Sequence, residues 1–159
     1  MTGLDELVLE IQPGGAGAVC ALILDELPGW FGIPEANADY ATAAENHPTV
    51  VATIAGVPAG VLTTIQHTRS AAEVYVMAVR PAHHREGIGA AMLGFAEQHL
   101  SIEGVRFLQV KTLADTHPDS GYAKTRSFYS ACGFEPLEVF PTLWDVESTA
   151  LQMIKVIDA

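Results

Sequence analysis

The stretch from Val79 to Leu93 reads VRPAHHREGIGAAML. Gly87 and Gly89 stand one residue apart, behind Arg80, His83, His84 and Arg85 and ahead of apolar residues at helical spacing. A turn from a strand into a helix leaves the first helical N–H groups unpaired at the positive end of the dipole, where an anion is favoured. Glycine there removes the Cβ that would hold a phosphate away from the backbone. A pyrophosphate suits this chemistry; a tight turn with close helix packing is the plainer alternative. A dinucleotide fingerprint would need a third glycine where Met92 stands, and a P-loop would need Gly-Lys-Ser/Thr, so both are excluded.

Two stretches carry a family resemblance. HREGIGAAML resembles motif A of the GNAT acetyltransferases, the acetyl-CoA-dependent N-acetyltransferase superfamily, whose pattern is Gln/Arg-x-x-Gly-x-Gly/Ala. Further on, SFYSACGF resembles their motif B, a Phe-Tyr pair followed by Gly-Phe. The resemblance covers Val50 to Phe134. It implies one GNAT domain over residues 1–159, an α/β (α+β) fold with a mostly antiparallel twisted central sheet and helices on both faces. It also implies that His84, Arg85, Glu86, Gly87, Ile88, Gly89 and Ala90 cradle the pyrophosphate of acetyl-CoA, with Met77, Ala78 and Val79 along the pantetheine arm. The cofactor-binding set it implies is completed by Tyr122, where many members carry an asparagine near that arm, and by Phe128 beside the motif B tyrosine. His84 replaces the usual Gln/Arg; it can donate a hydrogen bond, and the permanent charge falls to Arg85.

Amide formation from a thioester needs a neutral amine. An alkylammonium of pKa near 10.4 is only about a thousandth deprotonated near neutrality, so a base is useful, and the departing thiolate profits from an acid. The resemblance gives the acid role to Tyr129, against the alternative of a core aromatic beside Phe128. Glu73 lies fourteen residues before Gly87, the separation of the general-base glutamate in the histone-acetylating branch; a solvated strand-end carboxylate is the alternative. Trp30 and Phe31 are either a wall of the acceptor site or a plug over the first helix. His83 and His84 are too close together to share a metal, and His47, His67, His99 and His117 are scattered, so no metal is expected. Cys20 and Cys132 form neither a metal spacing nor a disulfide framework and read as buried or incidental thiols.

The elements that must position these groups follow from periodicity. A strand is expected over Glu6–Ile11, a helix over Ala16–Leu27, a second helix ending at Asn46, and a hairpin from TVVATIAG and AGVLTTIQH joined at Gly56-Val57-Pro58. A strand over Ala72–Val79 stops at Pro81. A helix from Gly87 to Ile102 presents Ile88, Ala91, Met92, Phe95 and Ala96 on one face and is capped at Gly104. Next come a strand over Val105–Leu113, a helix over Tyr122–Ala131 ended by Gly133, and strands near Leu137–Phe140 and Leu151–Ile157.

The 159 residues, 49% hydrophobic and 17% charged, suit one globular core. The N-terminus lacks a basic signal-peptide region and AVCALIL is too short to span a bilayer, so a cytoplasmic protein with no membrane partner is expected. The net charge of −11 is uneven: residues 1–68 hold eight acids and no Lys or Arg, while residues 69–126 hold seven of the eight basic residues. That distribution argues against a nucleic-acid partner. In the resembled family the cofactor side would take Arg80, Arg85, Lys111, Lys124 and Arg126, and the acceptor side Asp25, Glu26, Glu35, Asp39 and Glu45. The expected activity is transfer of acetyl from acetyl-CoA to a primary amine of a cationic small molecule or peptide, by direct attack. Transfer of a longer acyl group, a non-catalytic acyl-CoA-binding regulatory module and a structural dimerisation domain are the alternatives; a homodimer is compatible with each.

Overall fold

The computed structural model describes residues 6–29, 31–114, 120–145 and 148–157, without the side chains of 120–122, 145 and 148. The fold is mixed α/β, with a seven-stranded sheet in the order β1-β2-β3-β4-β5-β7-β6 flanked by helices. The strands are β1 (Leu7–Gln12), β2 (Thr49–Ile54), β3 (Val57–Gln66), β4 (Ala71–Val79), β5 (Phe107–Leu113), β6 (Glu135–Asp145) and β7 (Ser148–Val156). The helices are α1 (Gly17–Leu24), α2 (Pro34–Asn46), α3 (Ile88–Ile102) and α4 (Ser120–Ala131). Packing divides the chain into two compact units, Met1–Ile65 with Val74–Leu100, and Gln66–Glu73 with Ser101–Ala159.

In the first unit β1 pairs antiparallel with β2, and β2 with β3. The β2–β3 turn is Ala55-Gly56 rather than Gly56-Val57-Pro58: both residues have positive φ (52° and 80°), and Ile54 pairs directly with Val57. A two-residue loop of this kind matches the strand twist, which lets Val57 and Pro58 begin β3. Val51, Val61, Val76 and Ala78 form one core with Ala16, Cys20, Ile23, Leu24 and Leu27 around α1 and with Ala44 of α2. Adjacent strand residues face opposite ways, and Gly60 faces α3: a Cβ on it would lie 3.0 Å from Met92 Cε and 3.1 Å from the Ala78 carbonyl oxygen. Helices therefore cover both faces of this unit.

Helix α1 stops at Leu24, short of the expected Leu27. Pro28 drives the residue before it out of the helical region, and the chain closes with tighter turns, Glu26 N–H to Ile23 O and Leu27 N–H to Leu24 O. Helix α2 begins with Pro34 at its first turn, where the missing N–H costs nothing. The buried face of α3 is Ile88, Met92, Leu93, Ala96 and Leu100; Ala91 and Phe95 are only half-buried, so the face is rotated from the expected one. Gly104, at φ +92°, ends α3 as expected.

In the second unit β5 and β6 both pair antiparallel with β7. β6 is longer than its apolar run because an edge strand tolerates Pro136 and Pro141, and two register shifts absorb them. Among the described residues no helix is long and apolar enough to cross a membrane.

Candidate active site

The glycine turn leaves β4 through a single 3₁₀ turn, Pro81–His83, that the sequence pattern does not reveal. Arg85 has φ +66° and Gly87 φ +80°. The first helical bond of α3 runs from Ala91 N–H to Gly87 O at 3.0 Å, so the N–H groups just before Ala91 precede the helical ladder and need another partner. Arg85 and Gly87 are exposed, Gly89 and Glu86 half-buried, Ala90 exposed, and Ile88 is buried as the anchor of the turn. Exposed donors at a helix start beside a guanidinium fit a phosphate group. Gly89 has no positive φ among the described residues, so any need for glycine there is one of space. His84 Nε2–H donates to Val79 O at 2.7 Å and His83 meets Glu86 at 3.2 Å. That donor of His84 is thus spent on tying the turn to the end of β4.

From Val74 onward β4 alternates: Val74, Val76 and Ala78 are buried, whereas Tyr75, Met77 and Val79 are half-buried. Met77 and Val79 therefore share one face, and Ala78 faces the core of its unit.

In the second unit Tyr129 is fixed by the end of α4. Gly133 has φ +98°, Phe134 N–H donates to Tyr129 O at 3.0 Å and Gly133 N–H to Ser130 O at 3.1 Å. These are the paired bonds of a Schellman cap, and the ring contact that accompanies such a cap is present, Tyr129 to Phe134 at 5.4 Å between centroids. Phe128 meets the Tyr129 ring edge-on at 5.3 Å between centroids. One turn earlier, Arg126 Nη1 donates to the carbonyls of Leu113 (2.7 Å) and Ala114 (3.1 Å), stapling α4 to the end of β5. Burial, and secondarily Cys132, pushes the Tyr129 phenol up from its ordinary value. It therefore keeps its proton at every physiological pH.

The acetyltransferase (GNAT) domain family matches residues 44–136, more than half of the chain and both motifs. The chain belongs to the GNAT acetyltransferases. Solved structures of the same fold include a protein of the GNAT acetyltransferase family from Desulfovibrio desulfuricans, 21% identical over 95% of this chain and 99% of that one, with a TM-score of 0.81. Others are the ribosomal-protein-S18-alanine N-acetyltransferase of Escherichia coli (22%, 96% of each chain, 0.71) and an aminoglycoside 6'-N-acetyltransferase complexed with coenzyme A (16%, 96% and 98%, 0.73). No curated protein matches in sequence.

In this GNAT acetyltransferase Glu73 is not a solvated carboxylate; it is buried. Lys111 Nζ donates to its Oε2 at 3.0 Å and His67 Nε2–H to its Oε1 at 2.7 Å. Neither partner is apparent from spacing, although a lysine in the apolar run FLQVKTL is a signal that a strand carries a buried charge pair. Gly60 was missed as well; an isolated glycine inside a strand marks a close approach, here of α3. Phe31 is half-buried against the core of α1 and stacks on Tyr40, which stacks on Tyr75, so it serves the plug. Trp30 lies outside the described residues, as do His117 and the side chain of Tyr122.

The expected separation of acids from bases is incomplete. Glu26 Oε2 lies 3.2 Å from Arg80 Nε, an ion pair without a directed hydrogen bond, and Glu45 Oε1 accepts from Gly17 N–H at the start of α1. Asp25, Glu35 and Asp39 remain exposed. Among the described residues no group of three or more His, Cys, Asp or Glu is placed to hold a metal.

Proposed function

We propose that this single-domain acetyltransferase moves acetyl from acetyl-CoA to a primary amine of a cationic small molecule or peptide, by direct attack. The observation that carries this reading is the locked, proton-retaining Tyr129 of motif B. Acetyl-CoA, when bound, supplies an acyl carbon joined to a good leaving thiol. The turn from His84 to Ala90 would hold its pyrophosphate through backbone N–H groups and Arg85, and the backbone of Met77, Ala78 and Val79, with Phe128 and Tyr122, would hold the pantetheine arm. Tyr129 Oη holds the proton for the thiolate, and Glu73 serves the base side. The two named relatives act on a protein alanine and on an aminoglycoside, so the fold accommodates acceptors of both sizes. Exposed Glu35 and Asp39 favour a cation.

The test is free-thiol release from acetyl-CoA across a panel of amines. Tyr129→Phe should lower turnover by roughly ten to ten-thousandfold with acetyl-CoA affinity little altered. Equal rates would return Tyr129 to a purely structural part. Binding of acetyl-CoA without release to any amine would point to the regulatory module instead.

A further inference from the structure

The three side chains His67, Glu73 and Lys111 come together within the second unit, and they divide one task unequally. Glu73 is 9% exposed at its side chain, and each carboxylate oxygen already has a partner. A carboxylate that accepts a charged ammonium on one oxygen and an imidazole N–H on the other is poorly placed to take a substrate proton. His67 is different: its side chain is 43% exposed. Its backbone is pinned where the β3–β4 turn closes, by His67 N–H to Ala71 O at 2.9 Å. Because the carboxylate can only accept, Nε2 must carry the hydrogen. The neutral ring then keeps its lone pair on Nδ1.

We propose that His67 Nδ1 is the atom that takes the proton from the acceptor ammonium, with Glu73 and Lys111 as positioning residues. The inference rests on the acetyl-transfer reading and names its base. Proton transfer leaves a neutral amine and an imidazolium whose Nε2–H faces Glu73. The nitrogen lone pair then forms the C–N bond as the C–S bond breaks and its electron pair leaves with sulfur. The thiolate takes the Tyr129 hydroxyl proton, Tyr129 recovers one from the acylated nitrogen, and His67 returns its proton to water. Lys111 neutralises Glu73 at rest, so the cluster holds no net charge before the ammonium arrives. The charged groups facing the ring are Glu73 from β4 and, through it, Lys111 from β5; Arg69 lies in the same turn.

Two measurements test this. Long-range proton–nitrogen NMR on the unliganded protein should show His67 as the Nε2–H tautomer with Nδ1 bare, and Glu73→Ala should mix the tautomers. An Nδ1–H tautomer in the parent protein overturns the proposal without any turnover being needed. In thiol-release assays with the best amine of the panel, His67→Gln should lower kcat by roughly a hundredfold or more. The KM for acetyl-CoA should hold. Parent activity that His67→Gln equals overturns this proposal alone; a parent that releases no thiol with any amine overturns the acetyl-transfer reading and this one with it.

Discussion

Phe134 and Tyr129 are joined twice, by an N–H to carbonyl bond of 3.0 Å and by an edge-on ring contact of 5.4 Å. The spacing of Phe-Tyr and Gly-Phe in motif B is therefore the spacing of a helix cap. The tyrosine sits at the third residue from the helix end, the glycine supplies the left-handed residue, and the last aromatic closes the cap over the first. The Tyr129 ring is oriented by the same contact that ends its helix.

Gly133→Ala tests that coupling. An L-residue at φ +98° costs on the order of 1–2 kcal/mol, and the new Cβ meets Lys155 Cε at 3.2 Å, a flexible neighbour that can move. Urea denaturation should show the stability loss, and turnover should fall more than acetyl-CoA affinity, because Tyr129 loses its anchor.

Gly89→Val addresses the turn. Gly87 would be strained by any side chain at φ +80°, so Gly89 separates binding from folding more cleanly. Calorimetry should show acetyl-CoA affinity falling at least tenfold while the melting temperature shifts little. Unchanged affinity would remove the pyrophosphate from this turn.

The acidic face predicts a salt effect. With Glu26 and Glu45 already engaged, exposed Asp25, Glu35 and Asp39 are left to attract a cation, and exposed charges are screened as salt rises. The acceptor KM should rise from low to moderate ionic strength, and Glu35→Gln with Asp39→Asn should remove most of that dependence. A preference for anionic acceptors would leave these residues to solubility alone.

Stability should decline at alkaline pH. Burial raises the Cys20 thiol from 9.0 to about 11, so the unfolded chain ionises first. The contribution is complete below pH 9 and lost as pH rises towards 11, on the order of 2 kcal/mol. Denaturant midpoints at pH 7 and 10.5 should differ by less in Cys20→Ala than in the parent. An equal difference would assign the decline to Tyr129 and other groups.

How much was legible in the sequence depends on the range of the interaction. Pro81, Gly104 and Gly133 punctuate the chain through their own φ preferences, so the strand, the helix ends and both motifs follow from neighbouring residues. The turn Ala55-Gly56, the 3₁₀ turn after Arg80 and the length of β6 were missed, because each depends on what the flanking strands require or what an edge strand permits.

What the sequence determined by itself was the set of local backbone commitments: a glycine turn ahead of α3, a capped tyrosine on α4, and membership of one acetyltransferase family. What only the tertiary structure decided was the company each charge keeps. Glu73 meets Lys111 thirty-eight residues away, Glu26 meets Arg80, and Gly17 meets Glu45. Such pairs are set by strand register and helix packing, which bring distant residues within 3 to 4 Å, a length over which sequence separation carries no information.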